Sequence, residues 1–166
     1  MNEVRNLCVT PNGTRPTSYS WNAESRQEES GKWSYMVSSG DRATFTFRMG
    51  YAPVAGDVLV CVYSCDNPAL LTAPRGPSLP RIKGTGTTEG AVISDRMGWV
   101  AGRISDLGNN ELWIENECGW VTLEGCAAYS PEDWEHVRAL CDKGKLTYPW
   151  FSGDTYPRNN VGVAIS

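Results

Sequence analysis

One histidine, His136, and three phenylalanines stand among the 166 residues. No apolar run approaches the roughly 20 residues that a membrane-crossing helix needs, and none near the start has the length of a secretory leader, so a soluble chain with no export signal and no membrane insertion is expected. Neither sign of charge dominates. Fifteen Lys plus Arg against 19 Asp plus Glu leave a formal charge of −4, without the clustered cations that nucleic-acid binding requires. The lone imidazole falls in a helical segment among charged neighbours, so Ser-His-Asp or Cys-His chemistry lacks a placed base. Cys61 and Cys65 would lie about 13 Å apart along one extended strand and cannot bridge there. Cys118 and Cys126 lack the tight pairing of a zinc ribbon. Cys8, Cys61 and Cys126 alternate with apolar residues, the setting of buried, reduced thiols. Gly84-Thr85-Gly86 lacks the lysine and the strand-to-helix context of a phosphate loop. The carboxylates of Glu111, Glu115, Glu117 and Glu124 crowd one region, but nothing marks one of them as the acid of a glycosidase. The expectation is therefore a protein that is not an enzyme, with no catalytic residue, metal or cofactor.

Glycine, proline, tryptophan and tyrosine are plentiful, at 17, 10, 7 and 7 residues. Many turn formers and flat rings in a chain of one-domain length predict an all-β fold of short antiparallel strands. Short aromatic edge strands are expected around Tyr19 to Trp21 and Trp33 to Tyr35. Arg42 to Met49 alternates, with Ala43, Phe45, Phe47 and Met49 on one face. Asp57 to Tyr63 is apolar on both faces, and the prolines and glycines between Asn67 and Gly90 predict a long loop. Further strands are expected at Trp99 to Ser105, Glu111 to Glu115 and Gly119 to Ala128. The period then changes. Ser130 is placed to cap a helix with Pro131 in its first turn and Glu132 and Asp133 at its positive end. Trp134, Val137 and Cys141 form the apolar stripe, and Gly144 provides a left-handed stop. Residues 1–129 thus read as a β-sandwich, and 130–166 as a helix and extension packed on it within a single domain.

Strand parity supplies the candidate site. If Val100 and Ile104 face the core, Trp99, Ala101 and Arg103 face away; if Leu112 and Ile114 face it, Glu111, Trp113 and Glu115 face away. A tryptophan ring offers a flat apolar platform for the C–H face of a sugar, and carboxylates or a guanidinium bond its hydroxyls. Trp99, Arg103, Glu111, Trp113 and Glu115 are the candidate carbohydrate-binding residues. They form one platform only if their two strands share a sheet.

The segment Pro131-Glu132-Asp133-Trp134 through Val137-Arg138-Ala139-Leu140, then Gly144-Lys145-Leu146 and Pro149-Trp150-Phe151-Ser152-Gly153-Asp154-Thr155, resembles the C-terminal end of minor tail proteins of actinobacterial phages and prophages. Gly119 to Gly125 is similar to the last sandwich strand of that family, and Asn6-Leu7 to its opening strand. The resemblance covers about the last 50 residues best. It implies a jelly-roll-like antiparallel β-sandwich resembling a carbohydrate-binding module, a host-adsorption role in a virion tail, and synthesis in a bacterial cytoplasm, where thiols stay reduced. The partners it implies are a host cell-surface glycan, other tail proteins and further copies of the chain. Glu124 is the acid nearest to an Asp that the family often carries in the last strand, and no calcium site follows from it. The competing readings are a structural tail protein that binds other subunits through its aromatic face, and an ancillary glycan-binding domain of a polysaccharide hydrolase.

Overall fold

The computed structural model describes residues 3–7, 18–19, 23–37, 42–46, 54–65, 81–82, 88–92, 97–104, 111–115, 119–151 and 155–157. Within them the chain is mostly β with one helix, and every strand pairing is antiparallel. The largest sheet has six strands. Its order is β3 (Ala23–Gln27), β4 (Trp33–Val37), β11 (Val121–Tyr129), β6 (Val58–Cys65), β9 (Met97–Arg103) and β8 (Thr88–Val92). A four-stranded sheet runs β2 (Ser18–Tyr19), β5 (Arg42–Thr46), β10 (Glu111–Glu115) and β7 (Arg81–Ile82), and β1 (Glu3–Arg5) pairs with β12 (Thr155–Pro157). The all-β class with one helix is what the turn-rich, alternating sequence predicted.

Two local differences from the sequence reading stand out. Arg81–Ile82 and the start of Thr88–Val92 are strand within the Asn67 to Gly90 span expected to be one loop; a proline- and glycine-rich stretch still holds short β pieces where a neighbouring strand completes their hydrogen bonds. The strand expected from Arg42 to Met49 is described only through Thr46. Phe47 and Met49, like Cys8, Cys118 and the Ser152-Gly153-Asp154 segment, lie outside the described residues.

Strand β6 is the centre of the core. Val58 to Tyr63 are all buried, so both of its faces are covered, as expected of a continuous apolar run in an inner strand. On one face Val58 and Val60 join Ala101, Ala127 and Tyr129 under the helix, with Val4 and Phe151 closing the cluster. The helix α1 (Pro131–Asp142) begins at Ser130, whose hydroxyl accepts from the Asp133 amide at 3.2 Å. It ends at Gly144, whose φ of 73° lets the Gly144 amide reach Cys141 O and the Lys145 amide reach Leu140 O. That is the Schellman arrangement, and it satisfies carbonyls the helix would otherwise leave bare. Trp134 and Val137 are buried as expected, but Leu140, not Cys141, completes the stripe; Cys141 is half-exposed at its margin.

Among the described residues the far half of β11 pairs with no strand on the β4 side, because β4 pairs with Val121 and Thr122. The N-terminal segment takes that place. Asn6 is buried, donates to Cys126 O at 3.0 Å and accepts from the Ala128 amide at 3.0 Å, while the Leu7 amide donates to Ala128 O. One side chain thus replaces two rungs of a ladder. The Trp150 indole also donates to Cys126 O, lying flat over Gly125.

Candidate functional site

The two tryptophans expected to form one platform are in different sheets: Trp99 is in β9 of the six-stranded sheet and Trp113 in β10 of the four-stranded one. The condition for a single platform is not met. Trp99 is also not on an open face. Its ring meets Trp134 edge-on at 6.5 Å between centroids, and the Arg138 guanidinium lies 5.6 Å from its centre. Ala101, two residues on, is 1% exposed. Val100 and Ile104 do face the core as expected, but the opposite face of β9 is covered by α1. Arg103 is exposed and donates to Gly56 O at 3.0 Å, holding the turn before β6. For Glu111, Trp113 and Glu115 the strand path and register are described, with Trp113 opposite Thr44 and Arg81, and their side chains lie outside what is described.

The helix covers only one half of the outer face of the six-stranded sheet. Along the other half, register places Arg26, Ser34, Thr122 and Ser64 in one row across β3, β4, β11 and β6. Side chains in register project from the same face of a sheet. The Ser34 and Thr122 hydroxyls lie 2.6 Å apart. Trp120, two residues before Thr122, stands on the same face, and the Arg26 guanidinium sits 4.0 Å above its ring. Arg26 Nε also donates to Glu28 Oε2 at 2.6 Å. At the other end of the row, Lys32 Nζ lies 2.5 Å from Glu124 Oε1, and Ser64 Oγ donates to Glu124 Oε2 at 2.8 Å.

Glu124 stands here by alternation: two residues after Thr122, it shares that residue's face and contacts Lys32, which lies two residues before Ser34. Leu123 is opposite Tyr63 and Gly125 opposite Val62, so Glu124 is the extra residue of β11. The extra residue of a bulge has no direct partner on the neighbouring strand, and the Glu124 carboxylate spans Ser64 on one side and Lys32 on the other. The two cations and two carboxylates of the row balance, and none is deeply buried: side-chain exposures are 48% and 31% for Arg26 and Glu28, and 39% and 19% for Lys32 and Glu124. The Arg26 guanidinium holds the Glu28 carboxyl below the usual carboxylate range, with the Ser34 hydroxyl contributing second. Such a carboxylate is an acceptor at neutral pH rather than a proton donor. Exposed pairs of this kind add at most about 1 kcal/mol each to stability, so the row is available for recognition without endangering the fold.

No described family model and no curated protein sequence matches this chain. The site therefore has to be read from its own chemistry. Among the described residues no group of three or more His, Cys, Asp or Glu is arranged to hold a metal ion, and no helix is long and apolar enough to cross a membrane. Of the residues in this row, the sequence singles out Glu124 as one of several crowded acids, and takes Trp120 and Thr122 only as part of the Gly119 to Ala128 strand. The signal that could have found the rest is the strict alternation of Trp120-Val121-Thr122-Leu123-Glu124, which sends Trp, Thr and Glu to one face. Arg26, Glu28 and Lys32 come from a turn-rich stretch whose pairing with that strand is not local.

Proposed function

We propose that this chain is a non-enzymatic carbohydrate-binding module of a phage or prophage tail, and that the sugar docks on the row formed by Trp120, Arg26, Glu124 and Ser64. One observation carries the reading: a tryptophan flanked by charge-balanced donors and acceptors stands on the half of a sheet face that the helix does not cover. A sugar needs a flat apolar surface for its C–H face and fixed polar groups for its hydroxyls, and this row supplies both. Arg26 covers one face of the ring. An exposed cation–π contact is worth about 0.5–1 kcal/mol, well below the roughly 4 kcal/mol of even millimolar binding, so a sugar can displace the guanidinium and take hydrogen bonds from it at its edge. Weak single-site binding becomes useful through many copies in a tail. In this proposal the two larger sheets, which adjoin where β7 meets β9 and β10 meets β4, are the layers of a jelly-roll-like sandwich.

The tail assignment rests on the resemblance of the C-terminal segment; the sugar assignment rests on the row. A glycan array with envelope polysaccharides of actinobacteria tests the second. Wild-type protein is expected to bind a defined set of glycans, and Glu124→Gln to lose at least about tenfold in affinity, equivalent to about 1.4 kcal/mol, with its melting temperature nearly unchanged. Retained affinity in a folded Glu124→Gln protein refutes the site. Absence of glycan binding, together with co-purification of tail subunits, supports the structural reading instead.

A further inference from the structure

The core holds a second feature that the carbohydrate reading does not use. Cys61 of β6 and Cys126 of β11 are direct partners in the antiparallel register, neither is in a disulfide, and both are 0% exposed. The kind of pair they form follows from the hydrogen bonds around them. In an antiparallel ladder, residues whose backbone groups point at the neighbouring strand alternate with residues whose groups point away from it, and the second kind stand closer, with Cα atoms about 4.5 Å apart. Cys126 O is bonded by Asn6 Nδ2 and by the Trp150 indole, and the Ala128 amide and carbonyl are bonded by Asn6 and Leu7. These groups all point away from β6. Cys126 and Cys61 are thus a non-hydrogen-bonded pair, the close kind, and a Cα separation of about 4.5 Å is within the range a disulfide spans. Cys65 lacks this arrangement, since its partner in β11 is Val121.

We infer that Cys61 and Cys126 are a disulfide-forming pair, reduced in a reducing compartment and oxidised when the chain folds in an oxidising one. With a glutathione disulfide as oxidant, one cysteine thiolate attacks a glutathione sulfur, releases one glutathione thiolate and leaves a mixed disulfide. The second cysteine thiolate attacks the protein sulfur of that bond and expels the second glutathione. The protein gives up two electrons and its two thiol protons, and the glutathione disulfide becomes two thiols. Because both cysteines are fully buried, attack by a glutathione disulfide requires the core around them to open. Oxidation therefore occurs during folding and is slow in the native protein, and the weak contact of the Cys61 thiol with Val62 O, at 3.8 Å, is given up.

The test is to refold the full chain from denaturant with oxidised or with reduced glutathione, alkylate the remaining thiols, and map linked peptides without reduction. The expected product of oxidative refolding is a Cys61–Cys126 link. Closing a loop of roughly 65 residues should raise the melting temperature by about 5–10 °C. Native protein treated with the same oxidant should link far more slowly. Cys65→Ala should keep both the link and the shift, and Cys126→Ala should lose both. Alkylation of both Cys61 and Cys126 after oxidative refolding, or a link from either to another cysteine, overturns the inference. If Cys126→Ala does not fold, the peptide map of the wild-type chain decides alone.

Discussion

Replacing Trp134 by alanine removes the ring that joins α1 to the large sheet. Trp134 is 5% exposed, stacks on Tyr129 at 6.2 Å between centroids and takes the edge of Trp99 at 6.5 Å. A buried tryptophan hides about 150–250 Å², which at about 25 cal/mol per Å² is roughly 4–6 kcal/mol. Partial burial in the unfolded chain lowers this by roughly 10–40%, so Trp134→Ala should destabilise by about 3–5 kcal/mol, in line with large aromatic truncations elsewhere. For a chain of this size the melting temperature should fall by about 10 °C. Urea unfolding followed by circular dichroism measures it, with an unchanged slope expected if only the native state is affected. Trp99→Ala should cost about half as much, because that ring is only half-buried. A coupling of roughly 0.5–1.5 kcal/mol should appear in the double mutant. A Trp134→Ala effect below about 0.5 kcal/mol would refute the packing argument and make the helix a peripheral element.

Three further outcomes follow from local geometry. A Cβ at residue 125 would lie 2.6 Å from Trp150 Cε2, so Gly125→Ala should lift the indole off β11, break its bond to Cys126 O and destabilise by about 1–3 kcal/mol, with a matching change in tryptophan fluorescence. Asn6→Ala should destabilise by about 2–3 kcal/mol, since it leaves the buried Ala128 amide without its acceptor, and hydrogen exchange should report faster exchange at Ala128. Burial pushes the Cys141 thiol up to about 11. Its alkylation in native protein should stay slow at pH 8–9 and accelerate towards pH 11. The folded form then holds a proton that the unfolded form has lost, so this group's contribution to stability should fall as pH rises from about 9 to about 11; fast alkylation at pH 8 would contradict the burial.

The helix was legible because its signals are local: a serine cap, a proline in the first turn, two early acids and a glycine at the stop all lie within one short segment. The substitution of Leu140 for Cys141 in its buried stripe was not, since residues 140 and 141 both fall near the same face and docking decides between them. Strand parity correctly put Val100 and Ile104 inward. It could not say that a helix some 30 residues later in the chain would return to cover Trp99 and Ala101. Nor could it assign β9 and β10 to sheets, because strand order depends on non-local pairing. The same limit hid the polar row. Lys32 and Glu124 are 92 residues apart in sequence, and only the non-local pairing of β4 with β11 brings them into contact.

The central claim is that sugar binds the half of the outer face of the six-stranded sheet that carries Trp120, Arg26, Glu124 and Ser64. The most direct measurement is a nuclear magnetic resonance titration of labelled protein with the tightest-binding glycan from the array. The account predicts that the Trp120 indole N–H and the backbone amides of β3, β4 and the first half of β11 shift together, with one dissociation constant, and that Trp120→Ala abolishes the shifts while leaving the rest of the spectrum intact. Shifts centred on Trp113 in β10 or on Trp99 beneath α1, or none at saturating glycan, would contradict it.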